Sequence, residues 1–219
     1  MRRFYRTVDV AEAEDGLALL LDGKPVKTPS GKRFTLPGRK AADAAAAEWR
    51  AQGDEIRPAD MPVTRFANSV IDGVSHRQGD VAETVVSYAA TDLLCYRAGA
   101  DDPELAAAQR RLWDPPLDWI DKAQGIRLEV TEGIRPAPQN PAAIETVRAL
   151  VGGFDAWRLA GVHTAATVTG SAVLAIALEH GAFPLDDIWQ AATLEESMQA
   201  ARWGEDAEAS KRRESLRRE

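Results

Sequence analysis

A chain of 219 residues, 45% of them hydrophobic, with a formal net charge of −7 and an isoelectric point near 5.1, has the composition of one large globular domain or two small ones. The acidity argues against nucleic acid or an anionic membrane as the main partner, although residues 1–40 hold nine Lys or Arg against five Asp or Glu, so the first segment is basic while the rest taken together is acidic. The single cysteine, Cys95, has no partner for an internal disulfide, and the opening Met-Arg-Arg-Phe-Tyr-Arg lacks the apolar run and cleavage site of an export signal, so a cytoplasmic protein is expected.

Residues 4–10 alternate in polarity, residues 17–21 are a short apolar run, and Asp22-Gly23 between that run and residues 25–28 is a two-residue hairpin signal. With a turn at Pro29-Ser30-Gly31-Lys32 and a short strand over residues 33–36, the start of the chain reads as a four-stranded β-meander. So small a sheet needs cover. Two helices are expected to supply it: an Ala-rich one after Pro37 that reaches Trp49 and closes at Gly53, and one that opens at Met61-Pro62 and ends at Asp72-Gly73. Trp49 is expected to pack between helix and sheet. These elements form a first domain, residues 1–76.

Residues 77–219 read as a helical domain. Val81, Val85, Tyr88, Ala89, Leu93 and Tyr96 make the stripe of a packed helix over residues 78–97. Asp92 lies on that stripe, and a carboxylate buried there demands a partner such as Arg97 or Arg110. Pro103 starts a helix to Trp113, and Asp114-Pro115-Pro116 reads as the N-cap and first turn of another that runs to Gln124, with a bend at Asp114. Residues 126–130 alternate weakly, as a stray strand would. Residues 135–141 are a proline-rich connection and residues 142–151 a short helix.

Residues 159–178, LAGVHTAATVTGSAVLAIAL, carry no Asp, Glu, Lys or Arg and at about 1.5 Å per residue are long enough to cross a bilayer core of roughly 30 Å. His163 and the hydroxyl residues dilute their hydrophobicity, and the flanks lack a basic cluster. No membrane insertion is expected. The stretch reads instead as one central core helix, closed by Gly181, with Ala165, Ala166, Gly170, Ala172 and Ala175 letting neighbouring helices approach closely. Pro184 then opens an amphipathic helix to Trp203. Residues 205–219 are a charged tail, with Glu208/Arg212 and Glu214/Arg218 at i,i+4 spacing, that is expected to fray. The fold class is α+β, a small β-rich domain followed by an all-α domain around a central apolar helix.

Three histidines and one cysteine, with neither H-E-x-x-H nor C-x-x-C, give no readable metal site. Gly23-Lys24 and Gly31-Lys32 lack the upstream glycine and following Ser/Thr of a Walker A loop, so neither tight nucleotide binding nor any cofactor is expected. Ser171 has no nucleophile elbow, and His163 reads as a hydrogen-bonded core histidine.

Four segments together carry a family likeness: LLLDGKPVKTP at 19–29, AAEWRAQGDEIRPADMPVTRFANSVID at 46–72, YAATDLLCYR at 88–97 with WDPPLDW at 113–119, and LEESMQAARWGEDAE at 194–208. They span nearly the whole chain and resemble the bacterial form of the assembly chaperone of the ATP synthase F₁ sector that handles the α subunit. The resemblance implies a β-rich domain before a helical one, no enzymatic activity, and binding to the unassembled α subunit until the β subunit takes its place. Ser197 and Met198 stand where relatives often carry an acidic or aromatic residue.

On the helix from Pro184, Ile188, Ala192, Glu195, Gln199 and Trp203 share one face by i,i+3/i+4 spacing, and Glu195, Gln199 and Trp203 are the candidate partner-binding residues. The competing assignment packs Trp203 onto the domain and leaves Glu195 solvated or paired internally. The alternative function is an enzyme of unknown class using Asp92, Glu195 or His163 in a cleft between the two domains.

Overall fold

A computed structural model describes residues 1–133, 138–204 and 206–218. The chain divides into two compact units, Met1–Arg77 and Gln78–Glu219. The first combines an antiparallel sheet with two helices, and the second is, among the described residues, helical apart from one short parallel strand pair, which makes the fold α+β.

In the first unit β1 (Val8–Ala13) and β2 (Gly16–Leu21) form a hairpin in the register Val8↔Leu21 to Ala13↔Gly16. Asp22 and Gly23 then turn the chain with φ of 48° and 75°, the left-handed pair that such a tight hairpin requires. Asp22 Oδ1 also accepts from the amides of Arg6 and Thr7 at 2.9 and 2.8 Å, and the first strand begins at Val8, not at Phe4. β3 (Lys24–Pro25) and β4 (Thr35–Leu36) both pair with β2, through Leu20↔Pro25 and Leu17↔Leu36. Because β1 fills the other side of β2, the two short strands share one edge, and residues 27–33 loop out between them, closed by a bridge from Lys27 to Arg33. The expected meander is therefore replaced by an interrupted edge.

The sheet is covered by α1 (Arg39–Ala51), whose buried face is Ala42, Ala45, Ala46 and Trp49; three alanines allow the helix axis close to the strands. Trp49 meets the Tyr5 ring edge-on at 5.5 Å, and Tyr5 Oη donates to the Trp49 carbonyl at 2.6 Å. α2 (Pro62–Asp72) begins on a proline, and the Glu48 carboxylate from α1 accepts from the amides of Val63 and Thr64, placing negative charge at the helix N-terminus. Phe34, Leu19 and Leu36 are fully buried at the centre of this unit.

The second unit opens with α3 (Gln78–Ala90), shorter than the stripe over residues 78–97 implied. Asp92 is extended, and its side chain caps a 3-10 turn over Leu93–Cys95 by accepting from Leu94 N. β5 (Tyr96–Arg97) follows and pairs in parallel with β6 (Thr131–Glu132), so the strand expected at residues 126–130 is absent and a shorter one lies just beyond it. α4 (Pro103–Gln124) is one helix that runs straight through Pro115 and Pro116. Gln109, Trp113, Pro116 and Ile120 form one buried stripe along it, and that packing outweighs the hydrogen bonds that two prolines remove.

α5 (Pro141–Gly152) follows; residues 135–137 of the proline-rich connection fall outside the described residues. The apolar stretch over residues 159–178 is two helices, α6 (Ala156–Thr169) and α7 (Ala172–Glu179). Gly170 stops the first in a left-handed conformation (φ 71°), and Ser171 starts the second by accepting from Leu174 N at 3.0 Å. A Cβ at Gly170 would meet only Leu93 Cβ, at 3.9 Å, so this glycine is needed for its backbone conformation and not for close helix approach.

The central element is thus the short α7, whose first six residues are all buried and which packs against α3, α4, α6 and the next helix, α8 (Leu185–Ala192). The amphipathic segment after Pro184 is also divided. Thr193 ends α8, with its hydroxyl on the Trp189 carbonyl at 2.8 Å, and α9 (Leu194–Trp203) begins there. The charged tail is helical as α10 (Ala207–Arg218), and the Arg218 side chain of the expected Glu214/Arg218 pair lies outside the described residues. No described helix is long and apolar enough to cross a membrane.

Candidate functional site

α9 is held on two sides, and each side takes a different set of the residues singled out in the sequence. Toward α4, Gln109 is buried; its Oε1 accepts from Ala98 N at 2.8 Å, and its Nε2 donates to Glu195 Oε1 at 2.8 Å. Seven residues further along α9, Arg202 forks onto Asp102 (2.5 and 2.8 Å) and reaches Glu104 at 3.0 Å. Asp102 is also the N-cap of α4, and the Arg202 guanidinium beside it holds its carboxyl down at about 2. Glu195 with Gln109 and Arg202 with Asp102 set the two helices antiparallel. Just before α9, the Trp113 indole N–H donates to the Ala191 carbonyl at 2.8 Å.

The other side of α9 faces α10. Glu196, Gln199 and Trp203, spaced i,i+3,i+7, line a solvent-open groove of about 400 Å³ whose opposite wall includes Ala209, Arg212 and Leu216. Gly204 turns the chain between the helices with φ 95°, and Arg217 ties α10 to Asp186 of α8 at 2.6 Å. Trp203 is 77% exposed, so it does not pack onto the domain. The structure therefore divides the three candidate residues. Gln199 and Trp203 share the groove, whereas Glu195 turns to α4, where it accepts from Gln109. Glu196 and the α10 wall went unread in the sequence. The i,i+3,i+7 spacing was the available signal for Glu196; nothing local marked α10 as a wall.

The carboxylate Asp92 and the histidine His163 of the alternative enzyme reading lie on different elements in different surroundings. Asp92 is fully buried, and its Oδ1 and Oδ2 accept from Leu94 N at 3.1 Å and Val173 N at 3.0 Å. The expected cationic partner is thus replaced by the N-terminus of α7. Burial outweighs these hydrogen bonds and pushes the Asp92 carboxyl up to about 6. Arg97 turns instead to Asp114 at 2.8 Å and to the Leu94 carbonyl, with its guanidinium 5.2 Å from the Trp113 ring centre. His163 is half-buried on α6, and burial lowers its pKa, favouring the neutral ring. Among the described residues, no group of three or more His, Cys, Asp or Glu side chains is arranged to hold a metal ion.

A strand-rich first unit is followed by a helical second unit that carries an open helix–helix groove headed by a tryptophan, and the chain belongs to the ATP12 family of chaperones for ATP synthase assembly. The family model, described as ATP12 chaperone protein, matches residues 2–121. The mitochondrial protein atp12 of Schizosaccharomyces pombe is 23% identical over 214 residues, covering 93% of this chain and 74% of that protein. The crystal structure of Atp12 from Paracoccus denitrificans is similar with a TM-score of 0.93 at 37% identity, covering 99% of this chain and 92% of the other. The Atu1473 protein of Agrobacterium tumefaciens is similar with a TM-score of 0.91 at 41% identity, over 98% and 81% of the two chains.

Proposed function

We propose that this chaperone binds the unassembled α subunit of the ATP synthase F₁ sector in the cytoplasm and masks its interface until the β subunit pairs with it, without a chemical step or a nucleotide cycle of its own. The family supports the process, and the observation that carries the site is the exposed Trp203 ring at the head of the α9–α10 groove. A large flat ring held in the open on a helix costs solvation unless a partner covers it, and tryptophan is the residue type that most often anchors an interface. Gln199 beside it supplies an amide donor and acceptor on the same face. Glu195 has a different part in this reading, that of keeping α9 against α4 through Gln109.

The test is capture of purified F₁ α subunit by variants whose thermal unfolding is measured in parallel. Trp203→Ala is expected to keep the melting temperature and to weaken capture by roughly tenfold or more, the scale of a tryptophan anchor. Glu195→Lys sets an ammonium against the Gln109 amide donor and is expected to lower the melting temperature together with capture. Full capture by Trp203→Ala would remove the groove from the proposal.

A further inference from the structure

β1 is an edge strand, and its register with β2 determines which of its backbone groups are free. Asp22 N donates to Thr7 O at 3.1 Å, so in the pairs that continue inward, Asp9↔Leu20, Ala11↔Ala18 and Ala13↔Gly16, the two residues exchange hydrogen bonds. Val8, Val10 and Glu12 then turn their N–H and C=O groups away from β2. Two contacts agree with this phase. The carbonyl of Leu19, opposite Val10, accepts from Val26 N on the far side at 2.9 Å, and Arg50 Nη2 reaches the outward carbonyl of Val8 at 2.8 Å. Arg50 closes the beginning of the edge. Beyond it the amide and carbonyl of Val10 and of Glu12 have no protein partner among the described residues. Their repeat, two residues of a strand or roughly 6.6–6.8 Å, is one that an extended chain matches and a helix does not.

The charge along this edge is as particular as its backbone. Residues 8–21 carry Asp9, Glu12, Glu14 and Asp15 and no Lys or Arg, within a first 40 residues that are otherwise basic, and all four carboxylates are exposed. We propose that β1 is a strand-addition site that takes an extended, lysine- or arginine-bearing segment of another polypeptide, paired to Val10 and Glu12 and drawn in by the hairpin's carboxylates. A second copy of this chain is a poorer occupant, because pairing β1 with itself about Val10 lays two acidic hairpins side by side. Charge on an edge strand also serves to prevent unwanted pairing, and the experiment separates that role from binding. The site belongs to the first unit and is independent of the α9–α10 groove, which lies in the second.

The probe is a capped hexapeptide of alternating valine and lysine, titrated into the full-length protein while amide exchange is followed by NMR. In the free protein Val10 and Glu12 amides exchange fast and Asp9 and Ala11 amides slowly; with the peptide, Val10 and Glu12 become protected. The same peptide N-methylated at every residue binds about tenfold more weakly or worse, for loss of the strand hydrogen bonds. A valine–glutamate hexapeptide does not bind. Val10→Pro removes the outward N–H without touching the ladder to β2 and shows the same loss, and the N-methylated peptide makes that point on the unaltered protein should the variant fail to fold. Binding without protection of Val10 and Glu12, equal binding of the N-methylated peptide, or protection that rises with protein concentration alone would each overturn the proposal.

Discussion

Asp92 joins the 3-10 turn before β5 to the start of α7 with a single side chain. Its carboxyl titrates near 6 in the folded chain, above the 3.8 of an unperturbed aspartate. Between those two values the folded state holds a proton that the unfolded state has lost, so the stability contributed by this group is greatest at acid pH and falls as pH rises through about 6. From about pH 5 to pH 7.5 the loss amounts to roughly 1–2 kcal/mol. Asp92→Ala leaves the amides of Leu94 and Val173 unpaired in the core and is expected to destabilise the chain by about 1–3 kcal/mol for each. It also abolishes the titration, so the gap between wild type and variant in urea unfolding should be wider at about pH 5 than at about pH 7.5. A gap that is constant with pH would show that Asp92 stays ionised throughout.

At the level of elements, α4 shows where local signals and packing part company. Asp114-Pro115-Pro116 has the composition of a helix start, yet the buried stripe from Gln109 through Trp113 and Pro116 to Ile120 carries the helix across it. Leu112 is left with prolines at both positions, three and four residues on, that would donate to its carbonyl. Pro115 is exposed, so Pro115→Ala restores a donor without emptying a core site and is expected to raise stability by about 1–2 kcal/mol, after allowance for the freer unfolded chain. A lower melting temperature would mean that Pro115 itself is needed at this point of the helix. The Asp22-Gly23 turn, the proline start of α2 and the helix over residues 142–151 were legible because each rests on a local preference. The division of the long apolar stretch was not read, although Gly170-Ser171 is a stop followed by a start, because unbroken hydrophobicity on both sides conceals a boundary. In the candidate groove, the shared face of Gln199 and Trp203 could be read from helical spacing. The partner of Glu195 could not, since Gln109 is 86 residues away.

For the molecule as a whole, each unit has its own buried centre, with Phe34, Leu19 and Leu36 in the first and Trp113, Leu174 and Ile176 in the second. Phe34→Ala is expected to cost about 3–5 kcal/mol in the first unit, the usual range for emptying a buried aromatic site. Hydrogen exchange should then accelerate in β1, β2 and α1 while the amides of α7 keep their slow rates; acceleration in both units would make the chain a single cooperative body. The placement of the tryptophans has an optical consequence. Trp113 and Trp49 are shielded from water, whereas Trp203 meets it over most of its surface. Trp119, Trp157 and Trp189 are partly exposed, so acrylamide should quench most strongly a red-shifted part of the emission that is reduced in Trp203→Ala. With the F₁ α subunit seated over Trp203 as proposed, that part should shift to the blue and be protected from quencher, which would make the ring a fluorescent gauge of whether the groove is occupied.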